Sequence, residues 1–291
     1  VSPPAASSQA TPPVLSIALL VRNGMPGLAD LLSALAGQVG CEPFEIVAVD
    51  SGSTDGSLEA LAAAGARVER IEPAAFRFGP TRQRAFELTR GRVIVTLSQD
   101  AVPGGPGWLA AMTGPILEGR ADLVQAEELP PADAERLGMV QNFGTAYGHW
   151  PMPWLAISCS GLAISRPAWA ATGFGPVAMS EDKYLGAAAR RLGLRMEISR
   201  GAPLLHGHAF TFASLARRAF NEGMGARQTD GRYSLRQLLR DGFGLWRLRW
   251  IVNAALRRPS RRDVSLAELA RFPVRPIFCY LGYRFGRRYW R

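Results

Sequence analysis

The segment Phe44–Asp50 (FEIVAVD) is a short, β-branched apolar run between Pro43 and the polar loop Ser51–Ser57 (SGSTDGS). A run of this length and composition predicts a strand buried on both faces, and so a parallel sheet covered by helices. Asp50 stands at its carboxyl end. In open α/β sheets ligands bind along that edge, because the loops there open into a common crevice. The loop adds hydroxyls, a second carboxylate (Asp55), Gly52 and Gly56 ahead of a helix predicted over 58–64. A Ser/Thr/Asp loop in this position is also an ordinary helix cap. Alone, the loop leaves both readings open.

The pattern repeats along the first half. Leu15–Val21 reads as a buried strand, and Leu28, Leu31, Leu32 and Leu35 mark one helical face behind it. Further strands are predicted at 67–71 and 93–97, with a helix over 81–89 between them. Leu123–Gln125 and 156–165 add strands, and Arg166-Pro167 starts a short helix. Helices follow at 184–192 and 211–224, the second ending at Gly223 or Gly225. Repeated βα units imply an α/β fold with a mostly parallel sheet and right-handed crossovers. Pro130–Trp154 is less regular and gathers Tyr147, His149, Trp150 and Trp154 around two prolines. It reads either as a loop over a binding site or as a packed connection.

The 291 residues suffice for one large α/β domain with an appendage. The three cysteines are odd in number and lack metal spacing, which points to a reducing compartment without a disulfide framework. Residues 1–13 are rich in Pro, Ala and Ser, uncharged and without an apolar centre, so they read as a disordered tail and not a signal peptide. No stretch reaches the length and apolarity of a membrane span, and the expected location is the cytoplasm. Charge divides the remainder. Residues 236–291 hold fourteen arginines against three acidic residues, a net +11, whereas 1–235 carry a net −1. The expected organisation is a near-neutral α/β body over 14–235 and a helical, basic, aromatic extension over 236–291. Arginines interleaved with Trp246, Trp250, Tyr280, Phe285 and Trp290 suit the anionic inner face of a membrane. A packed appendage with solvated arginines is the other reading, and no nucleic-acid motif is present.

Leu15–Val21 with Arg22-Asn23-Gly24, VDSGSTDGS, Phe76–Gln83 (FRFGPTRQ), Leu97–Pro103 (LSQDAVP), Glu181-Asp182-Lys183 and His206-Gly207-His208 occur in one order. This set, over roughly 16–223, resembles a family-2 glycosyltransferase of the GT-A (nucleotide-diphospho-sugar transferase) fold, most of all its rhamnosyltransferase-like branch. The resemblance implies a mostly parallel central sheet flanked by helices, a nucleotide-sugar donor, and Mg2+ or Mn2+ as cofactor. It places Arg22, Asp50, Ser51, Arg82, Gln83 and Gln99 around the donor. Asp50 would accept from a base N–H, and the planar Arg22 guanidinium would stack on the base. Gln83 replaces the branch's Asn and Phe78 a frequent His.

The metal motif of the family, Asp-x-Asp, reads here Ser98-Gln99-Asp100, so one carboxylate remains. Mg2+ binds few protein carboxylates and completes its shell with phosphate and water, so one suffices. His206 or His208 is the second candidate ligand, and an imidazole tilts the choice toward Mn2+. Of the pair Glu181 and Asp182, the resemblance makes Asp182 the catalytic base and implies inversion at the anomeric carbon. A carboxylate there also suits a helix N-terminus.

The expected activity is transfer of a sugar, L-rhamnose from dTDP-rhamnose by resemblance, to a saccharide or lipid-linked acceptor in cell-envelope polysaccharide synthesis. Processive synthases carry Gln-x-x-Arg-Trp; here Asp241 follows Gln237–Arg240, which indicates single addition. A sugar-phosphate nucleotidyltransferase would need a Gly-rich basic loop after the first strand, and Arg22-Asn23-Gly24 is too sparse. A non-enzymatic membrane- or partner-binding protein retaining the fold is the other alternative, because the first Asp is missing and fold does not fix function.

Overall fold

The computed structural model describes residues 13–129, 140–141, 157–208, 211–228, 233–243 and 274–287. Residues 1–12 of the expected tail (1–13) and the aromatic cluster Tyr147, His149, Trp150 and Trp154 lie outside the described residues.

The first half alternates as its patterning requires: β1 Leu15–Val21, α1 Gly27–Ala36, β2 Phe44–Asp50, α2 Ser57–Ala63, β3 Arg67–Arg70, α3 Phe78–Glu87 and β4 Val93–Ser98. Then come β5 Val102–Pro103, α4 Trp108–Leu117, β6 Leu123–Leu129 and β7 Val140–Gln141. The second half holds β8 Gly161–Ser165, α5 Arg166–Thr172, α6 Glu181–Arg191, β9 Met196–Leu205, β10 Gly207–His208 and α7 Phe212–Gln228. Two further helices, α8 Leu235–Phe243 and α9 Val274–Phe285, belong to the basic extension.

Eight strands form one sheet in the order β3-β2-β1-β4-β8-β6-β9-β5. β1 pairs in parallel with β2 and β4. β8 enters antiparallel between β4 and β6, and β5 closes the far edge antiparallel to β9. The parallel expectation therefore holds for β1–β4 and the β6/β9 pair, and the two antiparallel insertions modify it. Alternation along each strand separates two cores. Leu15, Ile17, Leu19 and Val21 join Val93, Val95 and Leu97 on the face covered by Leu28, Leu31 and Leu35 of α1 and by Trp108 and Met112 of α4. Ala18, Val49 and Ile94 face Phe86 of α3, Trp169 of α5 and Leu185 of α6. The result is a sheet between two helical layers, the α/β GT-A arrangement.

α7 runs past both predicted stops, Gly223 and Gly225. Gly223 serves contact, not termination. A Cβ there would overlap the Cys279 carbonyl of α9, and one at Gly282 would overlap that of Phe220. α9 thus lies against α7 at backbone distance. Glu222 adds an ion pair to Arg275 across the seam at 2.9 Å and accepts from Arg218 at 3.1 Å. Residues 274–285 of the extension are packed on the body.

Candidate active site

The loop after β2 meets the loop after β1 through side chain to main chain bonds. Asp50 is fully buried. Its Oδ1 accepts from the N–H groups of Gly52 and Ser53, and its Oδ2 accepts from the Ser53 hydroxyl. The loop then holds its neighbour. Ser53 Oγ accepts from Asn23 N–H, Ser57 Oγ from Gly24 N–H and Asp55 Oδ2 from Met25 N–H, each at 2.9 Å. Asn23, in the left-handed region at φ 47°, returns an acceptor to Thr54 N–H. Ser51 is buried with its N–H on the Val21 carbonyl. The Asp50 carboxylate, expected at the base, is thus engaged in shaping the loop that carries Arg22.

Gln99 completes this network. Its Oε1 accepts from Arg22 N–H at 2.8 Å and its Nε2 donates to the Arg22 carbonyl at 3.1 Å. Only an amide can make both bonds, since a carboxylate has no donor. The middle residue of Ser98-Gln99-Asp100 is thus an anchor for Arg22, itself an exposed residue.

Beyond β4 a second group converges. Asp100 Oδ1 lies 3.4 Å from His206 Nε2, and His206 Nδ1 lies 3.3 Å from Glu128 Oε2. His206 and Glu128 are buried, at 2 % and 4 % exposure, and Asp100 is partly open. Sheet register produces this line. β9 is flanked by β6 and β5, so the strand ends carrying Glu128 and His206 adjoin, and the turn holding Asp100 leads directly into β5. Burial disfavours the charged imidazole, but the Asp100 and Glu128 carboxylates outweigh it and raise the His206 pKa to about 9. Burial likewise pushes Glu128 up, and His206 more than offsets it, holding the carboxyl below its usual range. The side chain of His208 lies outside the described residues.

The donor set suits a divalent cation. Two ligands about 2.1 Å from one ion, at roughly 90–110° to each other, stand about 3.0–3.4 Å apart, which matches the Asp100–His206 spacing. His206 must lose its proton to ligate. No cluster of three or more His, Cys, Asp or Glu side chains suited to a metal occurs among the described residues, so phosphate and water would complete the shell.

A third group surrounds the start of α6. Arg82, buried, donates from Nε to Glu181 Oε1 at 2.9 Å and from a terminal nitrogen to Thr96 Oγ1 of β4 at 2.6 Å. Burial pushes the Glu181 carboxyl up, and the Arg82 charge opposes that shift. Glu181 is thereby committed to an interior ion pair. Asp182 is partly exposed; it accepts from Lys183 N–H at 2.8 Å and faces Lys183 Nζ at 3.4 Å. Lys183 in turn donates to the Ile157 carbonyl at 2.8 Å. α6 begins at Glu181, three residues before its predicted start, after Ser180 in the left-handed region. Gln83 is engaged elsewhere: its Oε1 accepts from Trp169 Nε1 at 3.2 Å and its amide faces Glu87. Sequence reasoning did not find Glu128 or Thr96. The signal for Glu128 was an acidic pair, Glu127-Glu128, near the end of a strand that opens on Leu123 and Val124.

Residues 16–137 match the family model described as Glycosyl transferase family 2. No curated protein sequence matches the chain. Among solved structures, a mannosyltransferase (PcManGT) of Pyrobaculum calidifontis in complex with GDP-Man and Mn2+ superposes at a TM-score of 0.62 with 15 % identity, over 96 % of this chain and 89 % of that one. Glucosyl-3-phosphoglycerate synthase of Mycobacterium tuberculosis, in complex with Mn2+, UDP-Glc and phosphoglyceric acid, gives 0.55 with 21 % identity, over 76 % of this chain and 81 % of that one. TarS of S. aureus gives 0.51 with 17 % identity, over 72 % of this chain and 39 % of that one. At these identities the superpositions speak for the fold. The chain is thus similar to family-2 glycosyltransferases in sequence over 16–137, and its sheet has the GT-A fold.

Proposed function

We propose that the protein is an inverting, divalent-metal-dependent transferase that moves one sugar from a nucleotide sugar to a saccharide or lipid-linked acceptor. The observation that carries this reading is the convergence of the Asp100 carboxylate and the His206 imidazole at one edge of the sheet. Arg22, anchored by Gln99, offers its guanidinium to the nucleotide base. A cation held by Asp100 and His206 supplies Lewis-acid neutralisation of the charge on the departing nucleoside diphosphate. Asp182 accepts the proton of the acceptor hydroxyl, because Glu181 is tied to Arg82 and Asp182 is the accessible carboxylate of the pair. The acceptor oxygen then bonds to the anomeric carbon on the face opposite the breaking bond to diphosphate, which inverts that centre. The ordered motifs favour dTDP-rhamnose as donor and cell-envelope polysaccharide as the product's destination. A thermal-shift screen with and without Mn2+ tests this. The largest metal-dependent shift is expected with dTDP-rhamnose, with GDP-mannose and UDP-glucose, the donors in the neighbours' complexes, as competing arms. No shift with any nucleotide sugar overturns the donor reading.

The basic extension engages an anionic membrane surface in the same proposal. Support comes from its net +11 and from α8, where the apolar Leu235 and Leu239 are exposed beside Arg236. Among the described residues no helix is long and apolar enough to cross a membrane. Each basic residue near such a surface contributes on the order of 1 kcal/mol. Arg→Gln substitutions at the exposed Arg236, Arg284 and Arg287 should therefore weaken binding to anionic vesicles and its salt dependence. Unchanged binding overturns the membrane role.

A further inference from the structure

We infer that Glu128 is a positioning residue for the metal site: it fixes the ring orientation of His206 and keeps a proton on Nδ1, so that Nε2 is the nitrogen that gives up its proton to a metal beside Asp100. The inference rests on the metal reading above and deepens it. His206 is held to the end of β6 twice. Its main-chain N–H donates to the Leu129 carbonyl at 2.9 Å, and its Nδ1 faces Glu128 Oε2, the side chain one residue earlier, at 3.3 Å. A carboxylate only accepts, so Nδ1 must be the protonated nitrogen of this contact. Nε2 is then the nitrogen that can ligate, and it is the one aimed at Asp100 Oδ1. Both side chains are at most 3 % exposed, so water does not compete for this contact. A carboxylate behind a ligating histidine fixes ring and tautomer and raises ligand basicity, and its loss typically costs about 10–100-fold in metal affinity.

The burial of Glu128 points the same way. An acidic side chain at this depth is costly unless paired, and its charged partner among the described residues is the histidine. The hydroxyls of Ser160 and Ser158, which also depress its pKa, line the same recess.

The test is an electron-paramagnetic-resonance titration with Mn2+, alone and with UDP, on the full chain and on Glu128→Gln, Glu128→Asp and Asp100→Ala. Glu128→Gln should bind Mn2+ about 10–100-fold more weakly than the parent, with Glu128→Asp between the two. Affinity within about twofold of the parent in a folded Glu128→Gln, with Asp100→Ala impaired, overturns the positioning role and leaves the metal site standing. Absence of Mn2+ binding by the parent overturns both. A second readout needs no variant. The chain has three histidines, His149, His206 and His208, so 15N spectra of the Zn2+-loaded parent can resolve His206. Nδ1 protonated and Nε2 deprotonated is expected, and the reverse tautomer overturns the inference.

Discussion

Two carboxylates at the ends of strands in the same sheet do opposite things. Asp50, closing β2, is sealed, and both its oxygens are spent on Gly52 and Ser53. Asp100, just beyond β4, is partly open and points at an imidazole. The difference lies in the chain downstream of each residue. After Asp50 come small residues whose N–H and hydroxyl groups fold back within three positions, so the carboxylate is satisfied locally. After Asp100 the chain enters β5, and the imidazole facing it arrives at the end of β9, far along the sequence. Asp50 is thus engaged within its own loop, whereas Asp100 faces a side chain brought by a distant strand.

The proposed base is the most sensitive position. Asp182→Asn should lower transfer about 10²–10⁴-fold while sparing nucleotide binding, because an amide keeps the shape and cannot take the proton. Near-normal turnover would move the base elsewhere. On the sealed side, Asp50→Ala should act as a folding defect. It strands the N–H of buried Ser53 at about 1–3 kcal/mol, and that of half-buried Gly52 at less, read as a lower urea midpoint. A variant of parental stability that had lost only nucleotide binding would assign Asp50 to the donor pocket.

Gln99→Glu is a milder change. It keeps the acceptor for Arg22 N–H but sets an oxygen against the Arg22 carbonyl. The expected cost is about 0.5–1.5 kcal/mol, with donor affinity weakened as the loop loosens; unchanged affinity would show that Arg22 needs no anchor. Mildest of all is the α7–α9 seam. Burial raises the Glu222 pKa, but Arg275 and Arg218 outweigh it and the net shift is downward from 4.5. Its stabilisation is therefore present above pH 4.5 and lost as pH falls through the lower folded value. Glu222→Gln should flatten that part of an acid-unfolding curve, and an identical curve would remove the ion pair from the seam's energetics.

Much of the fold was legible because period and burial agree locally. β1, β2, β4 and α1 fall within a residue or two of the bounds their own apolar patterns suggest. β5 and β9 were missed. β5 is two residues long. β9 carries Arg200, Gly201 and Pro203, a composition that reads as loop and becomes strand only by pairing with β6. The glycines of α7 misled for a related reason: a glycine that ends a helix and one that admits a neighbouring backbone look alike until the neighbour is known.

The site divides along the same line. The βα frame, the strand-end positions of Asp50 and Asp100, the Glu181-Asp182 pair and the charge of the extension could all be read from the chain, because they depend on short-range pattern and composition. Which carboxylates are spent and which remain open could not. Long-range packing gave Glu181 to Arg82 across 99 residues, set Gln99 on the Arg22 main chain, and placed Glu128 behind His206. Asp50 turned inward on its own loop, but only the folded backbone shows that both its oxygens are used. A side chain's chemistry is set by the partners that satisfy it, and most of these partners come from distant strands that sheet order and register bring together.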